Sequence, residues 1–134
     1  MSTISAARDP AGVLHWTESV GAGFTWQGPL STLVVLSSTY DTTVQANGDY
    51  TVVSGGTVDS TLVGGTVTWQ TAAPGLSGAA GQWPSSGSLF ITGASGSNVL
   101  VTALGPVLAR VDVDANGDAV FEASFVRTWN SLVH

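Results

Sequence analysis

Apolar and polar residues alternate along most of the chain from residue 31 onward. Residues 31–45 are rich in Val, Leu, Thr and Tyr, types that fit the pleated surface of a β-strand. Further short segments of this kind, separated by turn-forming residues, cover 50–53, 58–63, 66–71, 88–92, 99–104, 107–113 and 118–127. The pattern predicts an all-β fold, an antiparallel β-sandwich or barrel built of consecutive hairpins with about eight strands. A helix is expected only as a turn near 128–133.

The turn Ala46-Asn47-Gly48-Asp49 predicts the register of the first hairpin. A two-residue loop would pair Gln45 with Tyr50 and mix apolar with polar residues on each face. A three-residue loop pairs Val44 with Tyr50 and separates the faces, with Gly48 in the left-handed conformation that glycine adopts at little cost. We therefore expect the three-residue loop.

The same tetrapeptide recurs at 115–118 and predicts a second hairpin of the same type. With a three-residue loop, Val113 pairs with Ala119, and Arg110 lies opposite Glu122 as a favourable cross-strand ion pair.

A further hairpin is expected at Gly64-Gly65, where the two glycines favour a two-residue loop. This loop would place Leu62, Val67 and Trp69 on one face of the sheet.

The first 30 residues carry a weaker pattern, because prolines and glycines interrupt every apolar period. We interpret residues 1–30 as an N-terminal arm with short strands around 13–17 and 23–27, and residues 31–134 as the β-domain. A chain of 134 residues is most simply one domain overall, and it is long enough to bury a core.

Charge and cysteine content exclude several classes of function. The chain has 3 basic residues against 9 acidic ones, and a formal net charge of −6. Nucleic acid is not expected as a partner, because phosphate binding requires a basic surface. The absence of cysteine excludes disulfides and thiolate metal sites. No apolar run approaches the roughly 18 to 20 residues of a membrane span, so none is expected.

The location of the protein is inferred from its N-terminal residues and its composition. The first residues lack a basic segment followed by an apolar one, so no signal peptide is expected. Either the protein is made without a signal, as a cytoplasmic or virion component, or Met1 was added to a mature secreted domain. Abundant Ser, Thr, Gly and Val without lysine favour an extracytoplasmic or surface-exposed protein.

An acidic run in the second hairpin has the spacing of the first half of a calcium-binding loop. Its oxygen-bearing residues are Asp112, Asp114, Asn116 and Asp118, with Gly117 at the sixth position. The twelfth position requires a bidentate glutamate. That position is Ala123, and Glu122 comes one residue early. We expect a solvated acidic turn and no cofactor, with calcium binding at these four residues as the alternative.

The tryptophans provide the best candidates for ligand binding. Trp69 and Trp129 are expected in the core, because apolar neighbours accompany them. Trp83 lies in a Gly-, Pro- and Ser-rich segment that is expected to leave its ring exposed, and Gln82 adjoins it. An exposed indole face can stack on a sugar ring while an amide binds the hydroxyls. Trp83 and Gln82 are therefore the candidate ligand-binding residues.

No pattern in the sequence indicates catalysis. His15 and Glu18 would point to opposite faces of a strand, because side chains alternate along it. The chain has no Gly-x-Ser-x-Gly motif that would single out one of its serines as a nucleophile. We expect no catalytic residues and no enzymatic activity.

Three segments of the C-terminal part carry a resemblance to a known group. They are the strand at 84–94, the Val-Asp-x-Asp-x-Asn-Gly-Asp run at 111–118 and the closing Thr-Trp-x-x-Leu at 128–132. Together, over about residues 84–132, they resemble the C-terminal β-domain of predicted secreted or lipoprotein proteins of Gram-negative bacteria. The resemblance implies an all-β fold and an extracytoplasmic location. It implies no activity and supplies no catalytic residues.

The functional expectation is a non-enzymatic structural or interaction β-domain at a cell or particle surface. Segments such as 33–36 and 99–102 are apolar on both faces, so a second sheet or another subunit must cover them. Self-association into a homo-oligomer or an ordered polymer is expected, with a monomeric closed sandwich as the alternative. The alternatives are a small-ligand or glycan-binding module that uses an exposed tryptophan, and a calcium-dependent adhesive domain. A protein or a glycan at a surface is the other expected kind of partner.

Overall fold

The computed structural model describes residues 2–21, 24–29 and 32–133. Positions 1, 22, 23, 30, 31 and 134, which the sequence interpretation included, lie outside the described residues. Within these residues eleven strands are followed by a short α-helix, and a short 3-10 helix (Ala94–Gly96), which the sequence did not predict, lies between the eighth and ninth strands. The strands and the α-helix are β1 (Ser2–Arg8), β2 (Leu14–Val20), β3 (Phe24–Gln27), β4 (Thr32–Val44), β5 (Tyr50–Ser60), β6 (Gly65–Thr71), β7 (Leu76–Gly78), β8 (Ser88–Thr92), β9 (Asn98–Ala103), β10 (Leu108–Asp114), β11 (Ala123–Thr128) and α1 (Trp129–Val133).

The strands form one open antiparallel sheet, which confirms the predicted all-β class. Its main path is β1-β2-β4-β5-β6-β8-β9-β10-β11, while β3 pairs with β4 and β7 pairs with β5. Neighbouring strands along the path run in opposite directions, and the path has nine members. The two edge strands, β1 and β11, therefore run in the same direction. Closure into a barrel would require a parallel pair in an otherwise antiparallel sheet, and in the described chain the sheet is not closed.

Register divides the sheet into two faces of different chemistry. Directly paired residues share a face, so the pairings can be followed from β1 to β11. The apolar face carries Ile4, Leu14, Trp16, Tyr40, Val52, Val58, Val67, Trp69, Leu89, Ile91, Val99, Val101, Val111, Val113 and Phe125. The other face, called the polar face because it is the more polar one, carries Thr3, Thr17, Thr39, Asp41, Thr57, Asp59, Thr68, Thr92, Thr102, Arg110, Asp112 and Ser124, together with the apolar residues Val34, Val53, Phe90, Leu100, Leu108 and Val126.

Little of the apolar face is buried. Among the described residues, the buried hydrophobic side chains are Ala109, Val111 and Trp129, with 0%, 6% and 8% of their surface exposed. Side chains in the middle of the apolar face, such as Trp69 and Val101, are only half-buried. Ser38, Ser54 and Thr71 are also buried on this face. The described chain therefore covers the apolar face in part and leaves most of its large side chains half-buried or exposed.

The first hairpin has the predicted register. Val44 pairs with Tyr50, and the backbone N–H of Gln45 donates to the carbonyl of Asp49 at 2.8 Å. Gly48 has a φ of +91°, as the three-residue loop requires. Separation of apolar from polar residues was sufficient to predict this pairing.

The predicted register of the second hairpin is wrong. Val113 pairs with Ala123 rather than Ala119, and a loop of residues 115–122 separates the strands. Side chains enlarge this loop, because the carboxylates of Asp114 and Glu122 accept hydrogen bonds from backbone N–H groups within it. Consequently Glu122 lies in the loop, not opposite Arg110.

The predicted two-residue loop at Gly64-Gly65 is also wrong. Ser60 pairs with Gly65, which leaves a four-residue loop in which Leu62 is 74% exposed. The physical reason is a contact with β4. Thr61 donates its backbone N–H to the carbonyl of Thr32 at 3.1 Å, and its hydroxyl accepts from the N–H of Thr32 at 2.8 Å. Val67 and Trp69 do share the apolar face.

The N-terminal segment is more ordered than the sequence indicated. Ser2–Arg8, interpreted as an arm, forms edge strand β1 and pairs with β2 along its whole length. Strands β2 and β3 overlap the two short strands that were expected, and α1 occupies the expected C-terminal turn. Every residue of β1 is exposed.

We expect Gly48→Val and Gly117→Val each to lower the free energy of unfolding by about 1 kcal/mol or more. Both glycines have positive φ, +91° and +80°, and an added Cβ would lie 2.8 Å from Ala80 Cβ and from the carbonyl oxygen of Gly96, respectively. Gly64→Val is the matched control, because Gly64 has a φ of +70° with open space around it. Urea denaturation would measure the three changes. Equal losses for all three would show that the close contacts contribute nothing.

Candidate functional site

Asp114 lies at the end of β10 and organises the acidic turn, which we define as residues 114–122. Its side chain is 1% exposed. The carboxylate accepts hydrogen bonds from the backbone N–H of Gly117 at 2.7 Å, from that of Ala119 at 3.0 Å and from Nδ2 of Asn98 at 3.3 Å. Burial alone would raise the pKa of Asp114, but these donors outweigh burial and hold the pKa below its ordinary value.

Two further carboxylates approach Asp114 in this turn. Carboxylate oxygens of Asp114, Asp118 and Glu122 all lie within 4.8 Å of one another. Glu122 also accepts from the backbone N–H of Ala115 at 2.7 Å, and the side-chain oxygen of Asn116 accepts from the N–H of Asp118 at 2.9 Å. Much of the hydrogen-bonding capacity of these oxygens is therefore used to close the loop.

The predicted calcium ligands are brought together only in part. Asp114 and Asp118 share the cluster, but Asp112 lies apart from it on the polar face. The hydroxyl of Ser124 donates to Asp112 at 2.6 Å and Nε of Arg110 at 2.9 Å. The hydrogen bond from Ser124 lowers the pKa of Asp112, burial opposes it, and Arg110 adds to the lowering. Glu122, which was not among the predicted ligands, takes the place of Asp112 in the cluster. The feature of the sequence that could have identified Glu122 is its position four residues after Asp118.

A groove beside Trp83 is the second candidate. It has a volume of about 230 Å³ and is lined by Trp83, Pro106, Val107, Thr128 and Asn130. Trp83 is 38% exposed and stacks on Trp129, with 6.3 Å between ring centroids and 18° between planes. Trp129 is buried, and its indole N–H contacts the carbonyls of Pro84 at 3.0 Å and Gly105 at 3.3 Å. The buried ring of Trp129 therefore supports the exposed ring of Trp83.

The partner predicted for Trp83 lies elsewhere. Gln82 is exposed but does not line the groove, and its backbone carbonyl accepts a hydrogen bond from the hydroxyl of Tyr50 at 2.8 Å. The polar residues beside Trp83 are Thr128 and Asn130. They come from the junction of β11 and α1, more than forty residues later in the chain. No pattern in the sequence linked the two segments.

The described residues contain no nucleophile, base and acid in a catalytic arrangement. His15 lies on the polar face, 3.5 Å from the hydroxyl of Thr43, while Glu18 lies on the apolar face. A cavity of about 350 Å³ near Asp49 has serine and threonine hydroxyls in its wall, but Thr51 and Ser77 bond to each other at 3.0 Å. These hydroxyls have a local structural role.

Comparison with known proteins gives no relative: no protein-family model, no curated protein and no solved structure matches this chain. Within the described residues, no helix has the length and apolar character to cross a membrane.

We expect Asp114→Asn to reduce stability at pH 7 and to flatten the acid limb of the stability profile. The folded-state pKa of Asp114 lies below the unfolded value of about 3.9. The carboxylate therefore stabilises the fold above about pH 4, and this contribution is lost as the pH falls through the folded-state pKa. Chemical denaturation between neutral and acidic pH would measure the difference. Asp59→Asn, an exposed residue of the polar face, is the control. A constant difference across the whole range would contradict the linkage.

We expect millimolar calcium to change the melting temperature little, because backbone N–H groups already occupy oxygens of Asp114 and Glu122. Thermal unfolding with and without calcium is the measurement. A rise of several degrees that Asp114→Ala and Asp118→Ala abolish would establish a calcium site instead.

Proposed function

We propose that this protein is a non-enzymatic structural domain that assembles with copies of itself through the apolar face of its open sheet. A cell or particle surface is the proposed location, supported by a lysine-free composition rich in Ser and Thr. The single observation that carries the proposal is the extent of apolar surface left uncovered by the chain.

The solvent-accessible surface of the chain is larger than that of a typical monomer, which supports a partner that covers the apolar face. The chain exposes 7990 Å², whereas a folded monomer of this size exposes about 6,600 Å². The excess, about 1,400 Å², exceeds the roughly 800 Å² that each partner buries in a stable interface. Exposed fractions of 64% for Ile4, 42% for Trp16 and 40% for Tyr40 place part of this excess on the apolar face.

The distribution of charge favours a second copy as the partner. Only Arg8, Glu18 and Arg127 among the charged residues lie on the apolar face, and the guanidinium of Arg127 lies 4.8 Å from the ring centroid of Phe125. The other acidic residues lie on the polar face or in loops. Two apolar faces can therefore meet without bringing the excess negative charge of each copy together.

The sheet edges also permit association. Edge strands in monomeric proteins are usually protected by lysine, proline or a covering segment. Neither β1 nor β11 contains lysine or proline, and all of their residues are exposed. A strand of a neighbouring copy can therefore pair with either edge.

Two adjacent substitutions on β11 test the proposal. Phe125 and Val126 are similarly exposed, at 36% and 45%, but lie on the apolar and the polar face, respectively. We expect Phe125→Asp to shift the assembly toward monomer and Val126→Asp to leave it unchanged. Size-exclusion chromatography with multi-angle light scattering over a concentration series would measure the mass. A wild-type protein that is monomeric at high concentration would overturn the proposal.

A further inference from the structure

We propose that the groove beside Trp83 is a carbohydrate-binding subsite that takes a neutral pyranose residue of a glycan chain. The residues that line the groove are not among those that the register places on the apolar face, and the inference does not depend on self-assembly. It combines an exposed indole ring, a rigid support behind it and two polar side chains at its border.

The Trp83 ring is held in place before any ligand binds. One side of the Trp83 ring stacks on Trp129, which is 8% exposed and held by the carbonyls of Pro84 and Gly105. The backbone N–H of Trp129 donates to the carbonyl of Val107 at 3.0 Å, which fixes the junction of β11 and α1 against the groove. A ligand that stacks on the outer side of Trp83 would therefore not have to order the ring first, and binding would lose less conformational entropy.

The border of the groove supplies hydrogen-bonding groups. Asn130 is exposed, and within the described chain its side-chain amide makes no hydrogen bond, so it offers both a donor and an acceptor. The hydroxyl of Thr128 accepts the N–H of Ser131 at 3.2 Å and keeps its own proton for a ligand. Pro106 and Val107 add apolar surface to the lining.

The chemistry of the lining selects the ligand class. No charged residue lines the groove, so it offers no partner for a phosphate, a sulfate or an ammonium group. The C–H face of a pyranose fits one flat aromatic ring, and its equatorial hydroxyls match an amide and a hydroxyl beside that ring. A proline-rich peptide docks in a groove lined by aromatic rings, whereas this groove exposes one.

Isothermal titration calorimetry with cellohexaose, xylohexaose and mannohexaose tests the proposal on the 134-residue protein. We expect at least one of the three to bind, and Trp83→Ala to weaken that binding about tenfold or more, equivalent to about 1.4 kcal/mol. Asn130→Ala should weaken it severalfold. Because Trp83→Ala also removes the stacking on Trp129, Trp83→Phe serves as a milder variant that retains an aromatic ring.

Two control variants separate this site from general effects of sequence and assembly. Trp16→Ala removes a tryptophan of similar exposure, 42%, on the apolar face, and Gln82→Ala removes the exposed neighbour of Trp83 outside the groove. Both should retain wild-type affinity. The proposal is overturned if none of the three hexasaccharides binds, or if folded Trp83→Ala and Asn130→Ala variants bind as wild type. Binding of a decaproline peptide at Trp83 in place of the sugars would also overturn it.

Discussion

The hydrogen-bonded ladder that runs from β1 to β11 is the constraint on which this structure depends. In most domains the burial of side chains between layers dominates stability, but here the buried hydrophobic side chains described are Ala109, Val111 and Trp129. In a single sheet, each apolar side chain packs against its cross-strand neighbours. The part of the side chain that points away from the sheet stays in water. Folding and the covering of the apolar face are therefore energetically linked, since any partner that binds only the folded state stabilises it.

The parts of the fold that could be predicted from the sequence are those in which local and cross-strand preferences agree. In the hairpin around Gly48, the turn residues and the alternation of faces point to the same register. At 115–118 the same turn residues are present, but the carboxylates of Asp114 and Glu122 bind backbone N–H groups and extend the loop. A pattern of apolar and polar positions contains no information about such bonds. Edge strand β1 was missed because its small, exposed residues give little hydrophobic signal.

The candidate site was less predictable than the fold, because its residues meet across long stretches of chain. Exposure of Trp83 followed from the glycines and prolines around it, but the side chains beside it depend on where Trp129 docks. That docking brings together segments 45 residues apart. Local composition identifies one member of such a site and cannot identify the others. The acidic turn differs in this respect, since its carboxylates lie within nine consecutive residues and their proximity follows from one loop.

The odd number of strands along the path restricts the symmetry of any assembly that extends the sheet. Since β1 and β11 run in the same direction, a head-to-tail arrangement would join successive copies by a parallel ladder, the less stable kind per residue. Two copies joined by the same edge would instead be related by a two-fold axis, with an antiparallel ladder at the junction. Such a pair is isologous and closed at that edge, which limits growth there to two copies. In a meander with an even number of strands the two edges would run in opposite directions, so head-to-tail joints would be antiparallel as well and the preference for the two-fold pair would disappear.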